Sequence, residues 1–391
     1  MNDSNKREVL IIAAEASSAL YAERLMQFWN QSSLEAGGSE RPHCFGVGNY
    51  AMESLGFEII GRSEEMAVVG LQEVVAHWSL IKNAYKKILE EAKIRKPKFA
   101  LLLDYPEFNL RMAKDLKAIG IKVIYYISPQ IWAWRTGRVH KIKKIVDRML
   151  VILPFEKEFY QKYDVPVDFV GHPLLDEIDA KLFDPSFINF KREKFGLKKE
   201  DLVLGLMPGS RNSEIKHHLR DQLQASKILL QKFPYLKVVL LLAPTLERAS
   251  VLPVLSEFEL PIQIIKDQPM EMIAITDIIL CASGTATLMV GLLHKPMVIM
   301  YKMNAFSARI AKWLVNKTPF FGMANLILGE RAVPELFQED AAPEFLAKNI
   351  GEFIVSKEKY QDTAKKLSEL QAKLGEKDAT KRVARILEEY L

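Results

Sequence analysis

Only two of the 391 residues are cysteine, Cys44 and Cys281, far apart in sequence and each in apolar surroundings. Two such residues make neither a disulfide framework nor a cysteine metal site, and a reduced cytoplasm fits best. Long hydrophobic runs are missing as well. The N-terminal "VLIIAAE" falls well short of the roughly 18 to 20 apolar residues that span a bilayer, so neither a signal peptide nor a transmembrane helix is expected. Any membrane contact would be peripheral. A strong excess of one charge is also absent. The 54 basic residues exceed the 49 acidic ones by a net +5, too little for a dedicated nucleic-acid binder. The 7 histidines lie scattered without an HxxxH or His/Cys spacing, so no metal is expected, and nothing calls for another cofactor.

What is present describes a globular chain. Hydrophobic content of 49% beside 26% charge supports a packed interior, and the length favours two or three domains over one core. Apolar β-rich runs alternate with helical patterns at "VLIIAAE", "FALLLD", "KVIYYIS" and "RMLVILP". Such alternation marks βα units of a doubly wound parallel sheet. A polar stretch, "DAKLFDPSFINFKREKFGL", follows, and a second series runs through "LVLGLMP", "LKVVLLLAP", "PIQIIK", "DIILCASG" and "MVIMYK". We therefore expect an α/β protein with one domain over residues 1–185 and a second over 186–355. Residues 356–391 read as amphipathic helices broken at Gly375, packing on the first domain or on a second copy of the chain.

Two turns have the shape of phosphate cradles. In "LGLMPGSRNSEIKHHL" a strand, a tight turn at Gly209, Ser210 and Arg211, and a helix start follow in order. Amides at a helix N-terminus attract phosphate, and Arg211 adds a two-pronged donor. Helix capping by Ser210 and Ser213 is the alternative. "CASGTATLM" repeats the arrangement with Ser283, Gly284 and Thr285, again with capping as the rival. Two such turns in one domain suit a diphosphate at a switch point of the sheet.

In "LLLDYPEFNL", Asp104, Glu107 and Asn109 follow a buried strand, where an acid can serve as general base to a sugar hydroxyl or simply cap a turn. "YYISPQIWAWRTGRVHKIKK" sets Trp132 and Trp134 beside Arg135 and Arg138, a pattern suited to stacking on nucleic acid, a sugar or a phosphate-bearing head group, or to a solvated helix with core tryptophans. "EEMAVVGLQEVV" carries Met66, Val68, Val69, Leu71, Val74 and Val75 ahead of several lysines, which reads as core or as a patch for an anionic membrane surface.

Together the blocks "AAEAS", "DYPEFNLRMAK", "SPQIWAWRTGRV", "ILPFEKEFY", "FVGHPLLDEI", "LMPGSRNSEI", "ASGTATL" and "ANLILGERAVPELFQED" resemble the lipid-A-disaccharide synthase family, glycosyltransferase family 19, nearly end to end. The resemblance implies a GT-B fold of two facing Rossmann-like domains and inverting, metal-independent transfer of 2,3-diacylglucosamine. The donor would be UDP-2,3-diacylglucosamine, the acceptor 2,3-diacylglucosamine 1-phosphate (lipid X), and the place the inner face of the cytoplasmic membrane. It implies catalytic roles near Asp104, Glu107 and Glu15, and donor binding by Arg211 and Asn325. It also implies a nucleotide-side block at Glu335, Gln338 and Glu339, and a membrane patch starting at Met66. No nucleic acid is implied, and a homodimer is compatible with the tail.

Three departures accompany the resemblance. Ser18 and Ala19 replace a glycine and an aspartate, Glu107 replaces an aspartate, and Met289 stands where a glutamate would meet the ribose. Methionine cannot accept a hydroxyl hydrogen bond with comparable strength. A diverged paralogue that binds UDP-sugar or lipid without turnover, and a UDP-sugar 2-epimerase, are the alternatives.

Overall fold

The computed structural model describes residues 7–35, 41–66, 71–303 and 320–391. They divide into two compact units, one of residues up to Asp176 together with Leu374–Leu391, the other Glu177–Lys373. The first division thus precedes the expected boundary at 185/186, and the tail is shared between the units.

Unit 1 is built on seven parallel strands: β1 (Glu8–Ala13), β2 (His43–Gly48), β3 (Glu58–Arg62), β4 (Phe99–Leu103), β5 (Lys122–Tyr126), β6 (Arg148–Val151) and β7 (Val167–Phe169). Their order across the sheet is β3-β2-β1-β4-β5-β6-β7. Successive side chains of a strand point to opposite faces, and both faces here are covered by helices. Leu10, Ile12, Ala100 and Leu102 enter one core, while Val9, Ile11, Leu101 and Leu103 enter the other. That double burial explains why these strands read as continuous apolar runs rather than alternating ones. The second core is completed by Val383, Ala384 and Leu387 of the last helix, Ala379–Glu388, which packs against the Ala16–Glu35 helix.

Unit 2 has six parallel strands: β8 (Val203–Met207), β9 (Lys237–Leu241), β10 (Ile262–Ile265), β11 (Ile278–Ala282), β12 (Met297–Tyr301) and β13 (Glu335–Phe337). The order is β10-β9-β8-β11-β12-β13. The polar stretch after Asp176 is ordered by local rules. Asp184 caps the Pro185–Lys194 helix by accepting the Ser186 amide at 2.9 Å, with Pro185 in the first turn where its missing N–H costs nothing. Buried Arg192 then ties this helix to Ile275 O at 2.8 Å and to Asp277 at 2.9 Å. Four short strands, β2, β3, β7 and β13, lack the long apolar signature and were not anticipated. Among the described residues no helix is long and apolar enough to cross a membrane.

Candidate active site

Each sheet reverses its winding at one place, and there the strand ends open a crevice. In unit 1 the reversal lies between β1 and β4, whose last residues Ala13 and Leu103 pair. Glu15 follows β1. Its amide donates to Ser18 Oγ at 3.0 Å, and that hydroxyl donates back to Glu15 O at 2.8 Å, fixing the start of the Ala16–Glu35 helix. Ala19, one turn on, is fully buried in the core cluster that holds Tyr21 and Tyr126. At this position the chain places a core methyl group.

After β4, Asp104 and Tyr105 both take left-handed backbone angles, with φ of 49° and 47°. Two adjacent non-glycine residues in that region carry strain of about 1 to 3 kcal/mol each, which the surroundings must hold. Fully buried Asn109 donates Nδ2 to Leu103 O at 3.0 Å and to Asp104 O at 2.7 Å, and Tyr125 Oη donates to Asp104 O at 2.6 Å. The Asp104 amide meanwhile donates to Tyr126 O at 3.0 Å. The main chain is thus pinned, and Asp104 is left half-buried at the crevice.

Glu107 lies differently. Its side chain is 78% exposed, and Oε1 accepts from Arg138 at 2.7 Å and Arg135 at 3.2 Å. One carboxylate oxygen between two guanidinium groups orients cations well and competes poorly for a hydroxyl proton. The Trp132 indole N–H is also committed, donating to Glu156 Oε1 at 3.1 Å. The side chain of Trp134 is outside the described residues.

In unit 2 the reversal falls between β8 and β11, and both cradle turns sit at it. Gly209 has φ of 128°, and a Cβ there would lie 2.3 Å from Glu214 Oε2, so only glycine fits. Glu214 reaches back to accept the Ser210 amide at 2.7 Å and approaches Arg211 at 3.6 Å. Arg211 occupies the N-cap position of the Asn212–Lys232 helix, makes no capping bond with its side chain, and is exposed. Neither Ser210 nor Ser213 is the cap. Across the crevice, Ser283 donates to Phe321 O at 3.2 Å while Gly284 and Thr285 are exposed. Met289 is half-buried on the helix that follows.

Asn325 and Glu335 lie inside the fold of unit 2. Asn325 is fully buried, with Nδ2 donating to Val333 O and Glu335 Oε1, both at 2.8 Å, and Oδ1 accepting the Val333 amide at 3.0 Å. Glu335 also accepts the amides of Phe321 and Gly322 at 3.0 Å each. Burial raises its carboxyl above the ordinary range although these donors oppose the shift. Both side chains brace the loop ahead of Met323–Leu328. Gln338, with φ of 54°, donates to Met303 O at 3.2 Å, and Glu339 is exposed.

Of the residues of the membrane patch, Met66 is fully buried in the core, and its carbonyl accepts Tyr105 Oη at 3.0 Å. Val68 and Val69 lie outside the described residues, as do the side chains of Leu71, Val74 and Val75. Among the described residues no group of three His, Cys, Asp or Glu could hold a metal ion.

Two participants escaped the sequence reading. His218, wholly buried, bonds through Nδ1 to Pro208 O at 2.8 Å and accepts the Lys302 amide at 3.1 Å, joining the Gly209 turn to the end of β12. Burial holds its pKa below the ordinary value, so the ring is neutral. Glu156 is the other. An acid two residues past the proline that follows an apolar strand was the available signal.

Two parallel-sheet units, each with its candidate residues at the reversal of its sheet, place the chain in the GT-B class of two-domain α/β proteins. In fold it is similar to UDP-GlcNAc 2-epimerase of Neisseria meningitidis bound to UDP-GlcNAc, with TM-score 0.64, 12% identity, and coverage of 98% of this chain and 100% of that one. It is likewise similar to the glycotransferase of kitacinnamycin, with TM-score 0.61, 13% identity, and coverage of 99% and 100%. At these identities the likeness establishes architecture alone. The family model described as lipid-A-disaccharide synthetase matches residues 9–389. The lipid-A-disaccharide synthase of Geobacter metallireducens is 38% identical over 391 residues, covering 100% of this chain and 99% of the relative. The chain belongs to the lipid-A-disaccharide synthetase family and is a glycosyltransferase of lipid A biosynthesis.

Proposed function

We propose that the chain transfers 2,3-diacylglucosamine from UDP-2,3-diacylglucosamine to lipid X, forming the β-1,6 disaccharide 1-phosphate and UDP. The observation that carries this reading is the strained Asp104 turn, held by Asn109 and Tyr125 at the sheet reversal of unit 1. A carboxylate on an over-determined backbone is preorganised to take a proton without reorganisation. In this mechanism Asp104 accepts the proton of the acceptor's 6-hydroxyl as its oxygen attacks C1 of the donor sugar. The bond from C1 to the diphosphate breaks with inversion, and the electron pair leaves with UDP. Arg211 and the amides of Gly284 and Thr285 take up the charge that grows on the diphosphate. Glu107 orients Arg135 and Arg138 for the acceptor's phosphate, and Glu15 lines the crevice beside Asp104.

Both substrates carry acyl chains, so the reaction belongs at a membrane surface. Exposed Lys82, Lys86 and Lys87 support contact with an anionic bilayer. The test is UDP release by the purified chain with UDP-2,3-diacylglucosamine, with and without lipid X. Acceptor-dependent release is expected; UDP binding without release would mean that this chain binds the donor and does not transfer it.

A further inference from the structure

Two blocks, "SPQIWAW" and "ILPFEKEFY", have no part in the chemistry above, yet the fold brings them onto one buried carboxylate. Glu156 is 1% exposed. Its Oε1 accepts from Ser128 Oγ at 3.0 Å and from Trp132 Nε1 at 3.1 Å, and its Oε2 accepts the Leu153 amide at 3.1 Å. Tyr160, one turn along the same helix, hydrogen-bonds Ser128 Oγ at 3.2 Å.

The segment held this way is strained at its start. Ile127, the residue before Ser128, has φ of 66°, an unusual conformation for a β-branched side chain, and its amide donates to Leu150 O at 3.0 Å. Beyond Trp132 the same segment delivers Arg135 and Arg138 to Glu107. A buried carboxylate that pairs with no cation among the described residues is costly to keep, and capping the Pro154–Gln161 helix would need only the Leu153 bond. The other two bonds reach across to the segment after β5.

We infer that Glu156 is a positioning residue for the acceptor side of the reaction: it docks residues 128–132 and so sets where Arg135 and Arg138 meet the acceptor's phosphate. The inference rests on the proposed transfer for the identity of that ligand. Its chemistry favours the ionised form, because Ser128, Trp132 and the Leu153 amide are all donors and a protonated carboxyl would turn one of its oxygens into a donor as well. Burial opposes ionisation and pushes the group up to about 7. Tyr160 is a titratable neighbour, and burial raises its hydroxyl so that it stays neutral. Protonation near neutrality therefore loosens the segment.

The experiment compares the wild-type chain with Glu156→Gln in three measurements: steady-state kinetics with lipid X from pH 6 to 9, UDP affinity by calorimetry, and amide hydrogen exchange. We expect the acceptor KM to rise about ten- to hundredfold, as for loss of hydrogen bonds to a charged group. UDP affinity should hold, and exchange over residues 129–138 should quicken. In the wild type the acceptor KM should climb as pH falls below about 7, and this limb should vanish in the variant. Equal losses in acceptor KM and UDP affinity, an unchanged pH profile, or unchanged exchange over 129–138 would each overturn the inference. If Glu156→Gln does not fold, Ser128→Ala cuts the segment-side bond while leaving the helix cap, with the same expected split. Absence of turnover in the wild type defeats the proposed function, whereas the exchange result decides the docking role separately.

Discussion

Asn325 and Glu335 hold one another at 2.8 Å inside unit 2, every polar atom of the asparagine side chain engaged within the fold. Together they form the brace beneath the loop that precedes Met323–Leu328. Asn325→Ala takes one donor from a buried carboxylate and leaves two backbone groups of Val333 without their bonds, and should destabilise the chain by about 1 to 3 kcal/mol in denaturant unfolding. Glu335→Gln should cost a similar amount, and the double variant should cost less than the two together, since they share one network. A loss of UDP affinity by Asn325→Ala at unchanged stability would instead place the amide on the ligand.

Asp104→Asn separates base from brace. The bonds that the Asp104 carbonyl and amide make to Asn109, Tyr125 and Tyr126 survive the substitution. Turnover should fall by about 10²- to 10⁴-fold, the range for removing a general base. Glu107→Gln should mainly raise the acceptor KM, because its carboxylate is engaged by two arginines. If the two variants lose turnover equally, the assignment of the base to Asp104 is wrong.

Arg211→Ala should weaken UDP binding about ten- to hundredfold by calorimetry, as expected for loss of a charged hydrogen-bond donor. The helix behind it should persist, since the Arg211 side chain makes no capping bond. Unchanged binding would remove Arg211 from the nucleotide site.

Met289 offers a gain-of-function test. It is half-buried, on the helix that follows the exposed Ser283–Thr285 turn. If the ribose lies over that helix, Met289→Glu should tighten UDP binding about tenfold by adding a charged acceptor. No gain would mean that the ribose is held elsewhere.

Glu156 makes stability depend on pH in a definite direction. Its pKa rises from 4.5 to about 7 on folding, so the folded chain keeps a proton that the unfolded chain releases. Its contribution is present in full below the unfolded value and is lost as pH rises through about 7. Thermal unfolding across that window should show the wild type losing stability relative to Glu156→Gln; parallel curves would refute the shift.

Much of the architecture was legible because parallel strands buried on two faces are written as unbroken apolar runs, and β1, β4, β8 and β11 all carry that signature. Short edge strands such as β7 and β13 do not, since fewer of their residues are enclosed. The turns at Asp104, Gly209 and Ser283 were legible for a related reason: strand, small or acidic residue and helix start are contiguous, so geometry follows from local order. The roles of Asn325, Glu335 and Met66 were not, because burial is set by what packs from distant parts of the chain.

By itself the sequence determined the α/β alternation, the family and the positions of the loops that carry chemistry, all of which depend on neighbours in the chain. Only the tertiary structure decided which polar side chains face the crevice and which are spent inside. Asn109, His218 and Asn325 are buried because backbone groups elsewhere need their hydrogen bonds. Glu156 is joined to Ser128 and Trp132 by the pairing of β5 with β6, a contact between residues more than twenty positions apart.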